Sequence, residues 1–148
     1  MRERADTAGI GPSGRPVEES NMARVLVVED DEDIRGLIKA RVANGGHAVL
    51  DAGSADEALA LIDDKGAPEI VVLDVGLPGM NGLELLVELR AKLDQPSLPA
   101  VFLSARVSAE DIEAGRRLGA IYLTKPFIAS ALLQAIKVQL NERTTDIW

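Results

Sequence analysis

Five apolar runs recur along the chain, and each is followed by a stretch with helical spacing. Arg24 to Val28, Ile70 to Leu73 and Ala100 to Leu103 are almost uninterrupted aliphatic segments, the pattern of strands covered on both faces. His47 to Asp51 and Ile121 to Thr124 are weaker versions and predict two more strands. After the first strand, Ile34, Leu37, Ile38 and Val42 mark a helix that ends at Asn44, Gly45 and Gly46, residues that tolerate the left-handed conformation a C-cap uses. Ser54 opens a second helix with a capping-box partner expected at Glu57 and Ala58, Leu59, Leu61 and Ile62 behind it. Leu83, Leu85, Leu86, Leu89 and Leu93 trace a third, broken by Gln95 to Pro99; Ser108 caps a fourth that runs through Leu118 to Gly119. Ile128 to Leu140 is a fifth. Strict alternation of strand and helix requires a parallel sheet with right-handed crossovers and helices on both faces.

The strand ends carry the chemistry. The first stops at Glu29 and Asp30, the third at Asp74, the fourth at Ser104 and the fifth at Lys125. In a parallel sheet these lie on one rim, and in the doubly wound, flavodoxin-like order 2-1-3-4-5 strands one and three are neighbours across the switch point. The turn after Asp74 contains Gly76, Pro78, Gly79 and Gly82, which let the backbone fold tightly and leave the carboxylate reachable. Two carboxylates ~4 Å apart repel by about 4 kcal/mol at an effective dielectric of 20. Three acids therefore exceed what one lysine neutralises, whereas a hard divalent cation such as Mg²⁺ (or Mn²⁺ in its place) suits carboxylate and carbonyl oxygens. The set predicts phosphoryl transfer, with Asp74 as nucleophile, Mg²⁺ and Lys125 on the developing charge and Ser104 as a hydrogen-bond donor.

Composition narrows the alternatives. Of 148 residues 47% are hydrophobic but only 3% aromatic, so the core is aliphatic. The absence of cysteine excludes disulfides and thiol chemistry. A net charge of -8 argues against unassisted nucleic-acid binding. No apolar run approaches the roughly 18 residues of a membrane span, and no secretion signal opens the chain, so a cytoplasmic protein without membrane contact is expected. The Gly- and Pro-containing stretch 1–22 is expected to be a disordered tail, residues 23–142 one domain, and 143–148 a short C-terminal tail.

These residues resemble the bacterial response-regulator receiver domain. The likeness rests on Val27-Val28-Glu29-Asp30-Asp31, on Asp74 with Leu77-Pro78-Gly79-Met80-Asn81-Gly82, on Ser104-Ala105, and on Tyr122-Leu123-Thr124-Lys125-Pro126-Phe127. It implies that Asp74 accepts a phosphoryl group from a histidine kinase or a histidine phosphotransfer protein. Asp30 would ligate Mg²⁺ directly, Glu29 through water, and Gly76 through its backbone carbonyl. Ser104 and Lys125 would contact the phosphoryl oxygens, and Tyr122 would change rotamer with Ser104. A cis Lys125-Pro126 bond is implied, as is kinase docking on Ile34, Leu37, Ile38, Pro126 and Phe127. So is a monomer, or a weak dimer linked to phosphorylation. The sequence departs from the family pattern in three places. Ser104 replaces the usual threonine; Gly76, two residues after Asp74, and Arg106, two after Ser104, are expected to set phosphoryl lifetime; and the segment before Tyr122 is one residue short.

Simpler interpretations take up the remaining features. Asp31, Glu32 and Asp33 are expected only to start a helix, where acids favour the positive dipole end. His47 is expected to serve the fold, and Trp148 is assigned no role. With eight residues after Leu140 a stand-alone switch signalling through protein contact is expected. A phosphorylation-independent interaction module, or a phosphatase with an aspartyl-phosphate intermediate, would share this scaffold.

Overall fold

In the computed structural model, residues 22–145 are described; the stretches 1–21 and 146–148, Trp148 among them, lie outside them. The elements are β1 (Arg24–Val28), α1 (Glu32–Asn44), β2 (Ala48–Ala52), α2 (Ala55–Lys65), β3 (Ile70–Leu73), α3 (Gly82–Leu93), β4 (Ala100–Ser104), α4 (Ala109–Arg117), β5 (Ile121–Thr124) and α5 (Ala129–Thr145). All five strands pair in parallel, as the alternation requires, and in the expected doubly wound order β2-β1-β3-β4-β5. β2 begins and ends one residue later than its apolar run suggests. α5 continues to Thr145, past the boundary drawn at residue 142.

Period-two alternation sends each strand's side chains into two separate cores. Leu26, Val28, Val71, Leu73, Ala100 and Phe102 face Ala58 and Ile62 of α2 and Leu85, Leu86 and Leu89 of α3. Val25, Val27, Ile70, Val72, Val101 and Leu103 face Ile38 and Val42 of α1 and Leu132 and Ile136 of α5. Among the described residues, Phe102 and Tyr122 form an aromatic ring pair with centroids 6.0 Å apart. Gly115 of α4 fits beneath it, since a Cβ there would stand 3.0 Å from the Tyr122 ring and 3.2 Å from Phe102.

Polar groups fix the element ends. Asp31 caps α1 by accepting from the Ile34 N–H at 3.0 Å, and Glu32 and Asp33 occupy the first turn, so these three acids do start the helix. The capping box expected at Ser54 is incomplete: Ser54 accepts from the Glu57 N–H, but Glu57 Oε1 accepts from Gly53, one residue too early, at 2.7 Å. The reciprocal arrangement forms instead at α3, between Asn81 and Glu84. His47 serves the fold, its Nδ1 accepting from the Ala23 N–H at 3.1 Å.

Gln139 is buried at 5% exposure on α5. Its Oε1 accepts from the Ala100 N–H at 3.1 Å, and its Nε2 donates to the Gly119 carbonyl at 3.0 Å. One side chain therefore ties the start of β4 to the turn entering β5. Gln139→Leu keeps the volume and strands both backbone groups, so a loss of about 2 kcal/mol is expected, read as a lower urea midpoint at unchanged slope.

Candidate functional site

Register places the acids. Val28 of β1 is opposite Leu73 of β3, so the next residues, Glu29 and Asp74, leave the sheet side by side. The Asp74 N–H donates back to the Val28 carbonyl at 3.1 Å. Ser104 pairs with Thr124 across β4 and β5, and the Lys125 N–H donates to the Ser104 carbonyl at 2.9 Å. Four strand ends thus deliver Glu29, Asp30, Asp74, Ser104 and Lys125 to one rim.

Ligand oxygens of Glu29, Asp30 and Asp74 lie within 4.8 Å of one another. Glu29 is 1% exposed and Asp74 7%, while Asp30 is open to solvent. Lys125 Nζ reaches both buried acids, donating to Glu29 Oε1 at 2.6 Å and to Asp74 Oδ2 at 3.0 Å. The second Glu29 oxygen accepts from the Asp31 N–H at 3.1 Å. Asp74 Oδ1 accepts from the Gly76 N–H at 2.9 Å. Three carboxylates facing one ammonium leave two negative charges, with the exposed member on the solvent side. That donor set fits a divalent hard cation entering from solvent.

The pKa directions follow from these contacts. Burial would raise the Asp74 carboxyl, but hydrogen bonds from the Gly76 N–H, Lys125 and Ser104 more than offset it and hold it below the usual aspartate range. At Glu29 burial dominates over Lys125 and the Asp31 N–H, so its carboxyl is pushed up. Lys125 is pushed down by burial but raised further by its bonds to Glu29 and Asp74, and it stays cationic. Asp74 is therefore ionised, the state a nucleophilic carboxylate needs.

Beyond the acids, Ser104 is buried, and its Oγ accepts from the Arg106 N–H at 3.2 Å. Arg106 runs back across the rim. Its Cδ stands 3.5 Å from where a Cβ on Gly76 would be, and its Nε pairs with Asp111 of α4 at 3.2 Å. Tyr122 sits on β5 with its hydroxyl donating to the Arg106 carbonyl at 2.6 Å. The Lys125-Pro126 bond is cis.

Of the residues expected at a docking face, Leu37 is 45% exposed, Pro126 is exposed, and Ile34 and Phe127 are half-buried against the core. Ile38 does not belong with them. It is 1% exposed and packs under the sheet with Val42, because it lies on the inward stripe of α1, one helical step from Leu37. Ile128, 69% exposed beside Phe127, is an apolar position on this side that the sequence pattern assigned to a helix only.

Sequence reasoning missed two contacts. Lys125 was assigned to the phosphoryl group alone, yet its shorter bond is to Glu29. Arg35 of α1 was assigned nothing, yet its Nη1 donates to the Glu29 carbonyl at 2.9 Å and its Nε to Asp51 Oδ2 at 3.1 Å.

A parallel five-stranded sheet with an acid triad and a lysine at its carboxyl rim defines a class of α/β signalling domain. Residues 25–137 match the family of the response regulator receiver domain, and the chain belongs to it. It is 37% identical over 122 residues to the transcriptional regulatory protein YrkP of Bacillus subtilis, covering 82% of this chain and 51% of that one. It is 39% identical over 124 residues to the response regulator MprA of Mycolicibacterium vanbaalenii, covering 83% and 52%. The chain thus spans about half the length of these curated relatives. Among solved structures, the chemotaxis protein CheY4 of Vibrio cholerae superposes with a TM-score of 0.72 at 29% identity, covering 80% of this chain and 98% of that one. Among the described residues, no helix is long and apolar enough to cross a membrane.

Proposed function

We propose that this receiver domain is an Mg²⁺-dependent phosphorylation switch with Asp74 as acceptor. The observation that carries it is the buried, ionised Asp74 carboxylate held between the Gly76 N–H and Lys125 Nζ, with Glu29 and Asp30 alongside. Glu29, Asp30, Asp74 and the Gly76 carbonyl would hold the cation, which when bound supplies positive charge for phosphoryl oxygens. An Asp74 oxygen attacks phosphorus, and the bond from phosphorus to the donor's nitrogen or oxygen breaks, its electron pair leaving with the donor. Lys125 and the Ser104 hydroxyl stabilise the charge gathered on the transferred group. A histidine kinase or histidine phosphotransfer protein is the donor, and its docking side includes Leu37, Pro126 and Phe127, with Ile34 at the edge. Tyr122, bonded to the Arg106 carbonyl and in ring contact with Phe102, moves with Ser104 when the site is charged, and the output passes to a protein partner. Gly76 and Arg106, which meet over the acceptor, set how long the phosphoryl group lasts. The protein catalyses only its own phosphorylation and dephosphorylation, in the cytoplasm.

Incubation with Mg²⁺ and acetyl phosphate tests this by intact mass. One added phosphoryl group is expected, absent from Asp74→Asn and absent when EDTA replaces Mg²⁺. An unmodified wild-type chain, or a label that persists in Asp74→Asn, overturns the proposal.

A further inference from the structure

The Asp30 carboxylate accepts no hydrogen bond from the described residues, yet it stands within 4.8 Å of the ligand oxygens of Glu29 and Asp74. An exposed acid beside two other negative charges is pushed outward by them. The contacts that hold this segment act on the main chain. The peptide joining Glu29 to Asp30 carries the Glu29 carbonyl, and Arg35 Nη1 donates to that carbonyl at 2.9 Å. On its other side, the Glu29 N–H donates to the Ala52 carbonyl of β2 at 3.1 Å. The residue that delivers both rim acids is therefore pinned at each of its backbone groups.

The guanidinium is itself held in a built seat. Asp51 at the end of β2 accepts from Arg35 Nε at 3.1 Å with Oδ2, and its Oδ1 pairs with Lys39 at 3.2 Å. The Arg35 side chain is only 19% exposed. Gly53 leaves room for it, because a Cβ there would stand 2.8 Å from Nη1. The planar fork matters: Nε serves Asp51 while Nη1 serves the carbonyl, two donors held at a fixed separation on one rigid plane.

We infer that Arg35, oriented by Asp51 and seated against Gly53, is a positioning residue that fixes the Glu29–Asp30 peptide so that Asp30 faces the cation site. The inference rests on the proposed Mg²⁺ site and deepens it. Partners that orient metal ligands from behind typically contribute ten- to a hundred-fold in affinity. Arg35→Met is therefore expected to weaken Mg²⁺ binding about tenfold, measured by calorimetry with the metal alone and by Mn²⁺ electron resonance. Gly53→Ala, which keeps every charge and displaces the fork, is expected to shift affinity the same way. Phosphorylation at saturating Mg²⁺ is expected to change little in either, since Asp74 and Lys125 are untouched.

A lowered melting temperature with wild-type Mg²⁺ affinity in both variants overturns the inference and makes Arg35 a brace only. If Arg35→Met does not fold, Gly53→Ala decides alone. Wild-type protein that binds no Mg²⁺ overturns the proposed site itself, an outcome distinct from equal binding by wild type and variants.

Discussion

Lys125→Met is expected to cost about 3 kcal/mol of folding stability in metal-free buffer, and Mg²⁺ is expected to return part of it. The ammonium is the partner of two acids at once, and the three side chains are 14%, 2% and 9% exposed for Lys125, Glu29 and Asp74. Removing one partner of a buried ion pair leaves an uncompensated charge, which costs more than the pair contributes. Here two carboxylates are left facing each other. Glu29 already titrates above its ordinary range because burial outweighs the help it gets from Lys125 and the Asp31 N–H. Without Lys125 that rise grows.

A carboxyl whose pKa is higher folded than unfolded binds more protons in the native state, so its contribution is kept at low pH and lost as pH rises through the folded value. The variant should therefore lose stability more steeply than wild type as pH climbs out of the ordinary glutamate range. A divalent cation that binds the folded acids and not the unfolded chain stabilises by mass action. The melting temperature of Lys125→Met should accordingly rise more on adding Mg²⁺ than that of wild type, because the cation has more repulsion to relieve. Equal shifts in the two proteins would mean that lysine and cation do not share the same charge cluster.

How much of this was legible in the chain follows from the range of each interaction. The strands of the parallel sheet follow from uninterrupted runs such as Ile70 to Leu73, because a strand buried on both faces has no polar phase to misread. The rim follows too, since in a parallel sheet every strand end points the same way and Glu29, Asp74, Ser104 and Lys125 each stand directly at or after a run. Helix faces were less legible. Ile34, Leu37, Ile38 and Val42 all fit one apolar spacing, and only packing separates the exposed Leu37 from the buried Ile38. The least legible contacts join a charged residue on a helix to a backbone atom elsewhere. Arg35 meeting the Glu29 carbonyl leaves no periodic trace, because it depends on where α1 crosses the sheet and on Gly53 of another loop leaving space. Glu57 departs for a related reason: the capping-box spacing is local, but its carboxylate bonds the Gly53 N–H instead of that of Ser54.

Gly82→Ala is expected to destabilise the domain by about 3 kcal/mol, against what helix propensity says. Gly82 is the first residue of α3 and has no need of positive φ. In a helix, alanine is favoured over glycine by about 1 kcal/mol, so propensity alone predicts a gain. Packing reverses the sign. A Cβ at position 82 would overlap the Asp74 carbonyl oxygen and stand 2.8 Å from its carbon and 3.0 Å from the Val75 Cα. All three are backbone atoms, so no rotamer change relieves the contact. The helix cannot retreat either, because Asn81 and Glu84 close a reciprocal cap around its first turn and the Gly82 N–H donates to the Val75 carbonyl at 3.1 Å. The strain falls on the peptide that carries the acceptor. Urea unfolding should therefore show a lower midpoint, and phosphorylation by acetyl phosphate should slow in the fraction that remains folded, since the Asp74 carboxylate moves relative to Lys125 and the Gly76 N–H. A Gly82→Ala protein as stable as wild type would mean that the turn between Asp74 and α3 yields to a methyl group. The close approach of α3 would then not be what fixes the acceptor's position.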